Sequence, residues 1–369
     1  MARTRLLYSP DIKNRESMRG KAIYHRASIS ISILYRQNFY RRRSQSNQQM
    51  SPLYEIQDMT GKGIGVVAQQ DIQTGARILC EPPLFTTADL SIISQMELFI
   101  ANELKGLSKA QQRQFLSLHN NFPGKQAFSG IVRTNALPLG PGSPTGGIFP
   151  IISRINHSCR PNTQHTWNSL KKHETIHAIR NIKKGEEITI SYNLGGPSKW
   201  RRLRMKENFN FDCTCDLCSQ PDEVLKVSDD RQVRIQILDD AIGDASRLMT
   251  SPGNALSDCR ELLSLYEVEA ITDARVARVC YDAFQICITH GDEARASSFA
   301  RMAYETRLYL EGEDSSDTQK MKVFITSPAK HMSFGYSQRW KQSMKKIPKD
   351  LSAEEFKLWL WRLAKTADA

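Results

Sequence analysis

No stretch of this 369-residue chain approaches the ~18 uninterrupted apolar residues that a membrane-spanning helix needs. The longest apolar-leaning segments are broken by charges or glycines, so no membrane partner is expected and the chain reads as soluble. A secretory signal is missing as well. A disulfide framework is therefore not expected of the eight cysteines, and metal ligation is the natural alternative. The net charge of +12 is unevenly placed. Residues 1–50 hold eleven Lys/Arg and two Asp/Glu, a charge of +9 out of +12, which leaves +3 for the other 319 residues. Basic proteins invite a nucleic-acid reading, but here it rests on tail charge alone. Neither a recognised reader motif nor an interleaved aromatic stacking platform accompanies it.

The basic arm ends in Arg41-Arg42-Arg43 and is rich in Arg and Ser. That composition fits a mitochondrial presequence and fits a disordered nuclear or partner-binding arm equally well. Met50 precedes a sequence that starts the fold cleanly, so a disordered or artefactual arm over residues 1–50 is the expectation. A nuclear or cytoplasmic location follows, mitochondrial only if residues 1–49 are a real presequence. Apolar content of 40% and charged content of 24% are ordinary for a globular protein, and the length allows two or three domains.

Fold signals begin near Tyr54. Gly61-Lys62-Gly63-Ile64-Gly65 is a glycine-rich turn leading into a strand at Val66-Val67-Ala68, and a second strand, Arg77-Ile78-Leu79, follows the turn at Gly75. Residues 91–120 read as a helical insert, with Ser108 as an N-cap and Phe115, Leu116 and Leu118 buried. Four prolines and four glycines make 136–150 a loop. Alternating strands resume at Thr175–Ala178 and at Glu187–Tyr192. An internal echo links the two halves: Ala68-x-x-Asp71-Ile72-x-x-Gly75-x-x-Ile78 has the frame of Ala178-x-x-Asn181-Ile182-x-x-Gly185-x-x-Ile188. Each reads as strand, glycine turn and strand, a hairpin unit, and two such units predict a compact β domain of short strands. From Val233 to Leu310 helical periodicity takes over, broken at Ser251-Pro252-Gly253, Thr272-Asp273 and Gly291-Asp292. Small residues at Ala296 and Ala303 permit close antiparallel helices, a partial match to a tetratricopeptide-type hairpin. The basic C-terminal stretch ends in a helix capped by Ser352 with Glu355 three residues on.

Chemistry concentrates in a few segments. Cys213, Cys215 and Cys218 form a C-x-C-x-x-C group supplying three thiolates, where a structural tetrahedral zinc takes four ligands. Upstream lie Asn156-His157-Ser158-Cys159-Arg160-Pro161-Asn162 and the strand Ile188–Tyr192, which ends on a tyrosine. With the Gly61–Gly65 turn, and with Arg133-Thr134-Asn135-Ala136 and Gly147-Ile148-Phe149-Pro150 leading into the Asn-His segment, this order resembles the SET-domain lysine methyltransferases. The nearest branch is the SET-and-MYND type with its cysteine-rich post-SET segment, and the resemblance covers roughly residues 54–220.

That resemblance implies an α+β protein: a β-rich SET domain at 51–193, a zinc-bound post-SET loop at 194–225, a helical, TPR-like domain at 226–325, and a basic tail with its terminal helix at 326–369. It implies S-adenosylmethionine as methyl donor, one structural Zn2+, and a protein substrate carrying a target lysine, histone or otherwise. Tyr192 becomes the catalytic candidate, orienting amine and methyl group. Asn156 and His157 would contact the cofactor's amino-acid and adenine portions, Asn135 its methionine part, and Lys62-Gly63 would lie against it. Phe211 would stack on adenine, or would be a simple core aromatic. Cys159 would join Cys213, Cys215 and Cys218 on the metal. One departure stands out. Between residues 80 and 150 the one cysteine is Cys80 and the one histidine His119, so the inserted MYND finger is absent, and its recruiting role is not carried over. A monomer is expected, with any protein partner on the helical domain. The alternative is a catalytically silent SET-fold scaffold that binds partners through its helices.

Overall fold

The computed structural model describes residues 52–87, 93–124, 127–193 and 195–363. The basic arm, with every reading placed on it, lies outside the described residues. Short strands carry the first half: β1 (Tyr54–Met59), β2 (Gly63–Ala68), β3 (Arg77–Glu81), β4 (Leu137–Pro138), β5 (Gly146–Gly147), β6 (Asn156–His157), β7 (Thr163–Asn168), β8 (His173–Ala178) and β9 (Glu187–Ile190). They form three small sheets, ordered β1-β2-β9-β6, β3-β8-β7 and β4-β5. Apolar residues of the strands and of the turns between them meet in one core that includes Val66, Ile72, Ile78, Phe149, Ile176, Ile182 and Ile188.

The internal echo is real, but its units are not hairpins. β2 pairs with β9 and β3 with β8, so each unit sends its two strands to different sheets and pairs with the other unit. The hydrogen bonds repeat the symmetry. Gly75 N donates to Ala178 O and Gly185 N to Ala68 O, both at 2.8 Å, while Ile72 and Ile182 exchange bonds of 2.8 and 2.9 Å. Gly75 and Gly185 sit at φ +84° and +82°, where a Cβ is strained. Long-range pairing of two similar local motifs is invisible to a reading that looks for partners nearby.

The insert folds as α1 (Ile93–Gly106) and α2 (Lys109–Leu116). Ser108 caps α2 in a full capping box with Gln111. Phe115 and Leu118 are buried as expected, but Leu116 lies on the outer face and is exposed. A further helix, α3 (Ala127–Asn135), has a β-branched pair and a glycine that argue locally against it. Tertiary contacts override that preference: Ile131 and Val132 are buried, and the Glu97 carboxylate accepts from the N–H groups of Phe128 and Ser129 in the first turn.

Beyond β9 the chain is helical: α4 (Ser198–Phe209), α5 (Asp222–Ile242), α6 (Ala245–Thr250), α7 (Pro252–Val268), α8 (Ala274–Thr289), α9 (Glu293–Glu311), α10 (Ser316–Thr326) and α11 (Ala353–Leu360). Helix breaks fall at Ser251, at Asp273, which caps α8, and at Gly291-Asp292. Ala296 and Ala303 are fully buried, which permits the close approach of α8 and α9. Ser352 caps α11 with Glu355 in a capping box.

Candidate active site and metal centre

Three chain segments converge where β9 lies between β2 and β6. The turn between β1 and β2 places Gly61 and Gly63 at φ +74° and +71°. A Cβ added to Gly63 meets no protein atom within 4 Å, so beside Lys62 there is open space for a ligand; at Gly65 it would lie 2.9 Å from Asn156 Nδ2. Gly65, read in the sequence only as part of the glycine-rich turn, thus makes room for Met59 Cγ, 2.5 Å from such a Cβ, and for the Asn-His segment. β6 runs parallel to β9, with Asn156 opposite Thr189 and His157 opposite Ile190. Glu187, at the start of β9, joins the pieces. Its Oε2 takes the Lys62 ammonium at 2.7 Å and its Oε1 accepts from Asn156 Nδ2 at 2.9 Å. Sequence reasoning missed Glu187, although its place as first residue of the strand leading to Tyr192 was a usable signal.

Asn135 closes α3. Its amide hydrogens go to the carbonyls of His119 and Ile131, both at 2.7 Å, and among the described residues no hydrogen bond reaches its Oδ1. The atom left for a ligand is thus an acceptor, suited to an ammonium group.

The predicted strand to Tyr192 stops at Ile190 because the Tyr192 N–H leaves the ladder and donates to His157 Nδ1 at 3.0 Å. With Nδ1 accepting, the ring proton belongs on Nε2, which lies 3.3 Å from Cys159 Sγ and donates to it. Burial lowers His157 to about 4, so the imidazole is neutral. The Tyr192 hydroxyl donates to Ile155 O at 2.6 Å. Burial, then the Glu187 carboxylate, push the phenol well above its usual range; Tyr192 keeps its proton and serves as a hydrogen-bonding group. Rings surround it: Phe209 at 4.8 Å and His157 at 5.3 Å between centroids, with Phe211 at 6.2 Å from His157 and 6.5 Å from Phe209. Phe211 packs in this aromatic group, as does Phe209, which the sequence reading left out. Its position two residues before Phe211 and at the end of α4 was the available signal. Beside Tyr192, the buried Asn193 Nδ2 has no hydrogen-bond partner among the described residues.

Cys159, from the segment after β6, meets Cys213, Cys215 and Cys218, from the loop between α4 and α5. Their four sulfurs all lie within 4.8 Å of one another. Cys159 is 4.0 Å from Cys213 and 3.6 Å from Cys218, close to the about 3.8 Å edge of a tetrahedron with zinc–sulfur bonds of ~2.3 Å. Without a cation such thiols cannot all ionise: hydrogen bonding from its neighbours, Cys159 first, draws Cys215 far down, while Cys159 is driven far up. A divalent cation relieves that conflict, and the donor set fits one zinc ion. The guanidinium of Arg201, 1% exposed, lies 4.0 Å from Cys218 Sγ. Its charge offsets the net negative charge that four thiolates leave on zinc. Arg201 was also missed, since a lone Arg in a basic helix carries no signal.

Comparison with known proteins adds three findings. The family model described as SET domain matches residues 63–193. Histone-lysine N-methyltransferase set5 of Schizosaccharomyces pombe is 32% identical over 289 residues, covering 77% of this chain and 87% of that protein. More local matches are histone-lysine N-methyltransferase SMYD3 of Homo sapiens, 37% identical over 78 residues (21% of this chain, 18% of that one), and N-lysine methyltransferase SMYD2-B of Danio rerio, 28% identical over 167 residues (42% and 38%).

Proposed function

The chain belongs to the SET-domain family of lysine methyltransferases, and from that premise we propose that it transfers a methyl group from S-adenosylmethionine to the side-chain amine of a lysine in a protein substrate. The observation that carries the reading is the join at the end of β9. Tyr192 sits between Phe209 and His157, and in this reading the Gly63 turn, Asn156 and Asn135 hold the donor. When bound, S-adenosylmethionine supplies an electrophilic methyl group on a sulfonium.

Every other requirement falls on the protein. The lysine amine has an ordinary pKa near ~10.4 and must be neutral to attack, which an apolar aromatic lining favours. The Tyr192 hydroxyl, its hydrogen fixed on Ile155 O, offers lone pairs to the amine N–H and so orients the nitrogen for in-line approach. Asn135 Oδ1 takes the donor's ammonium, and the backbone of Asn156 and His157 and the ring of Phe211 hold its remaining parts. Zinc would be held by Cys159, Cys213, Cys215 and Cys218. Four thiolates leave no open position, so its contribution is structural: it fixes the loop that carries Phe211 next to His157.

No helix of the described residues is long and apolar enough to cross a membrane. A nuclear or cytoplasmic monomer acting on a histone or another protein extends the reading; a protein-lysine substrate is supported by the likeness to set5, a histone-lysine N-methyltransferase. Calorimetric titration of the full chain with S-adenosylmethionine tests the donor site, with micromolar binding weakened by Asn156→Ala expected. Tyr192→Phe is then expected to lower labelled methyl transfer by at least ~100-fold at nearly unchanged donor affinity. Full transfer by that variant removes Tyr192 from catalysis. A folded, zinc-loaded chain that binds no donor would instead be a scaffold.

A further inference from the structure

We propose that the segment following α10, residues 328–349, is a binding surface for single-stranded nucleic acid. Between Thr318 and Lys349 the chain has eight Lys/Arg and no Asp or Glu. Lys320, Lys322, Lys330, Arg339, Lys341, Lys345, Lys346 and Lys349 are all exposed. Among the described residues only Lys322 forms an ion pair, with Glu313 at 3.1 Å. The remaining cations hold no internal partner of opposite charge.

Large apolar side chains stand among them. Met332, Phe334 and Tyr336 are 86%, 41% and 71% exposed, alternating with inward-facing His331 and with half-buried Ser333, Gly335 and Ser337. This loop is held in place. Gly335 N donates to Ile288 O, Ser337 N to Thr289 O, Trp340 N to His290 O and Gln342 N to Gly291 O, at 2.9–3.2 Å, so the backbone is pinned along the end of α8. His331 anchors its start through Tyr281 at 3.0 Å and Ser333 at 2.8 Å. Exposing three large apolar groups on a pinned loop costs solvation with no gain inside the fold. The sequence reading found no interleaved aromatic platform; the exposure of Phe334 and Tyr336 among these cations corrects it, and aromatic faces interleaved with cations are what a single strand uses, its bases stacking and its phosphates pairing.

An adjacent groove of about 450 Å3 decides the geometry of the partner. Arg339, Trp340, Trp361 and Arg362 line it beside the first turn of α7, and no acidic residue contributes to its wall. The Arg362 guanidinium lies over the Trp340 ring at 4.3 Å. A flat bilayer meets the loop but cannot enter such a groove. A flexible strand can follow the loop and then the groove.

The test is fluorescence anisotropy of the full chain with a labelled oligo(U) RNA of about 20 nucleotides and with duplex DNA of the same length. Phe334→Ala/Tyr336→Ala is expected to weaken oligo(U) binding about tenfold and leave duplex binding unchanged. Lys345→Glu/Lys346→Glu/Lys349→Glu is expected to weaken both and to flatten the salt dependence. The aromatic variant leaves the N-terminal arm intact, so binding through the arm does not imitate this result. All substitutions are at exposed positions away from the methyl-transfer site, and unchanged unfolding temperature and methyl transfer check the fold. Oligo(U) binding equal in the aromatic variant and the wild type overturns the proposal. So does a wild-type chain that binds no oligonucleotide, in which case the surface is a solvated face or takes an acidic protein.

Discussion

Glu187 divides its two carboxylate oxygens between Lys62 and Asn156, which ties the exposed turn to the Asn-His segment. Glu187→Gln keeps an acceptor for Lys62 but loses the charge that holds it. A hydrogen bond to a charged group contributes about 1.5–3 kcal/mol, and about half of that is expected to reach the donor site through the displaced turn, a three- to tenfold loss of S-adenosylmethionine affinity by calorimetry. Affinity equal to wild type would leave Glu187 as a structural tie of the turn alone. At this scale the sequence showed residue types better than roles. Tyr192, Asn156, His157 and the four cysteines stand out because their spacing is unusual. Glu187 and Phe209 carry only a positional signal, at a strand start and a helix end, and Arg201, one arginine in a basic helix, carries none. Only the fold shows that Glu187 bridges segments 125 residues apart and that Arg201 is buried beside thiolates.

The element that depends most on a few atoms is the loop from Cys213 to Cys218 between α4 and α5. Its local hydrogen bonds are few, and its position is set by sulfur contacts to Cys159 and by Arg202 Nη2 donating to Cys218 O at 2.6 Å. Metal analysis is expected to give about one zinc per chain. Cys215→Ser is expected to lose it and, by freeing Phe211 from His157, to weaken donor binding by about tenfold or more, while α7–α9 keep their helical signal. A zinc-free chain with intact donor affinity would contradict the link between this loop and the site. Elements whose signal is local were legible: the capped helices α2 and α11, the glycine turns, and the breaks near Ser251 and Gly291. What escaped was set at long range. β2 and β3 were taken for a hairpin because the echo was read one unit at a time, and α3 was not anticipated because Glu97, 31 residues before Phe128, supplies its first-turn acceptor.

Among the polar contacts that fasten the β half to the helical half is a junction centred on Asp314. Asp314, between α9 and α10, binds the Arg77 guanidinium of β3 through both oxygens and the Lys171 ammonium at 2.7 Å, while its carbonyl accepts from Asn168 Nδ2 at 3.1 Å. Arg77 Nε in turn donates to His177 Nε2 at 3.0 Å, so His177 is an acceptor and must be neutral. Burial first, then Arg77, lower it to about 4 from an ordinary 6.5, with Asp314 opposing. The Arg77 hydrogen bond first, and Lys171 after it, hold the Asp314 carboxyl well below the usual carboxylate range. Both folded-state shifts are downward, so each group contributes stability above its unfolded pKa and loses it as the pH falls. For His177 the unfolded chain takes up the proton first, and stability is lost between about pH 6.5 and 4, of order 3 kcal/mol in all. Asp314 begins to lose its share only below about pH 4. His177→Gln keeps an acceptor for Arg77 without titrating. Urea unfolding at pH 7.5, 6 and 5 is therefore expected to show a steeper decline in the wild type than in His177→Gln, whereas Asp314→Asn lowers stability by about 1 kcal/mol at neutral pH and leaves the decline above pH 5 in place. Zinc release at acid pH acts on both chains alike and cancels in the comparison. Parallel pH profiles for the wild type and His177→Gln would mean that the histidine becomes protonated in place, and that the junction rests on the Arg77–Asp314 pair alone.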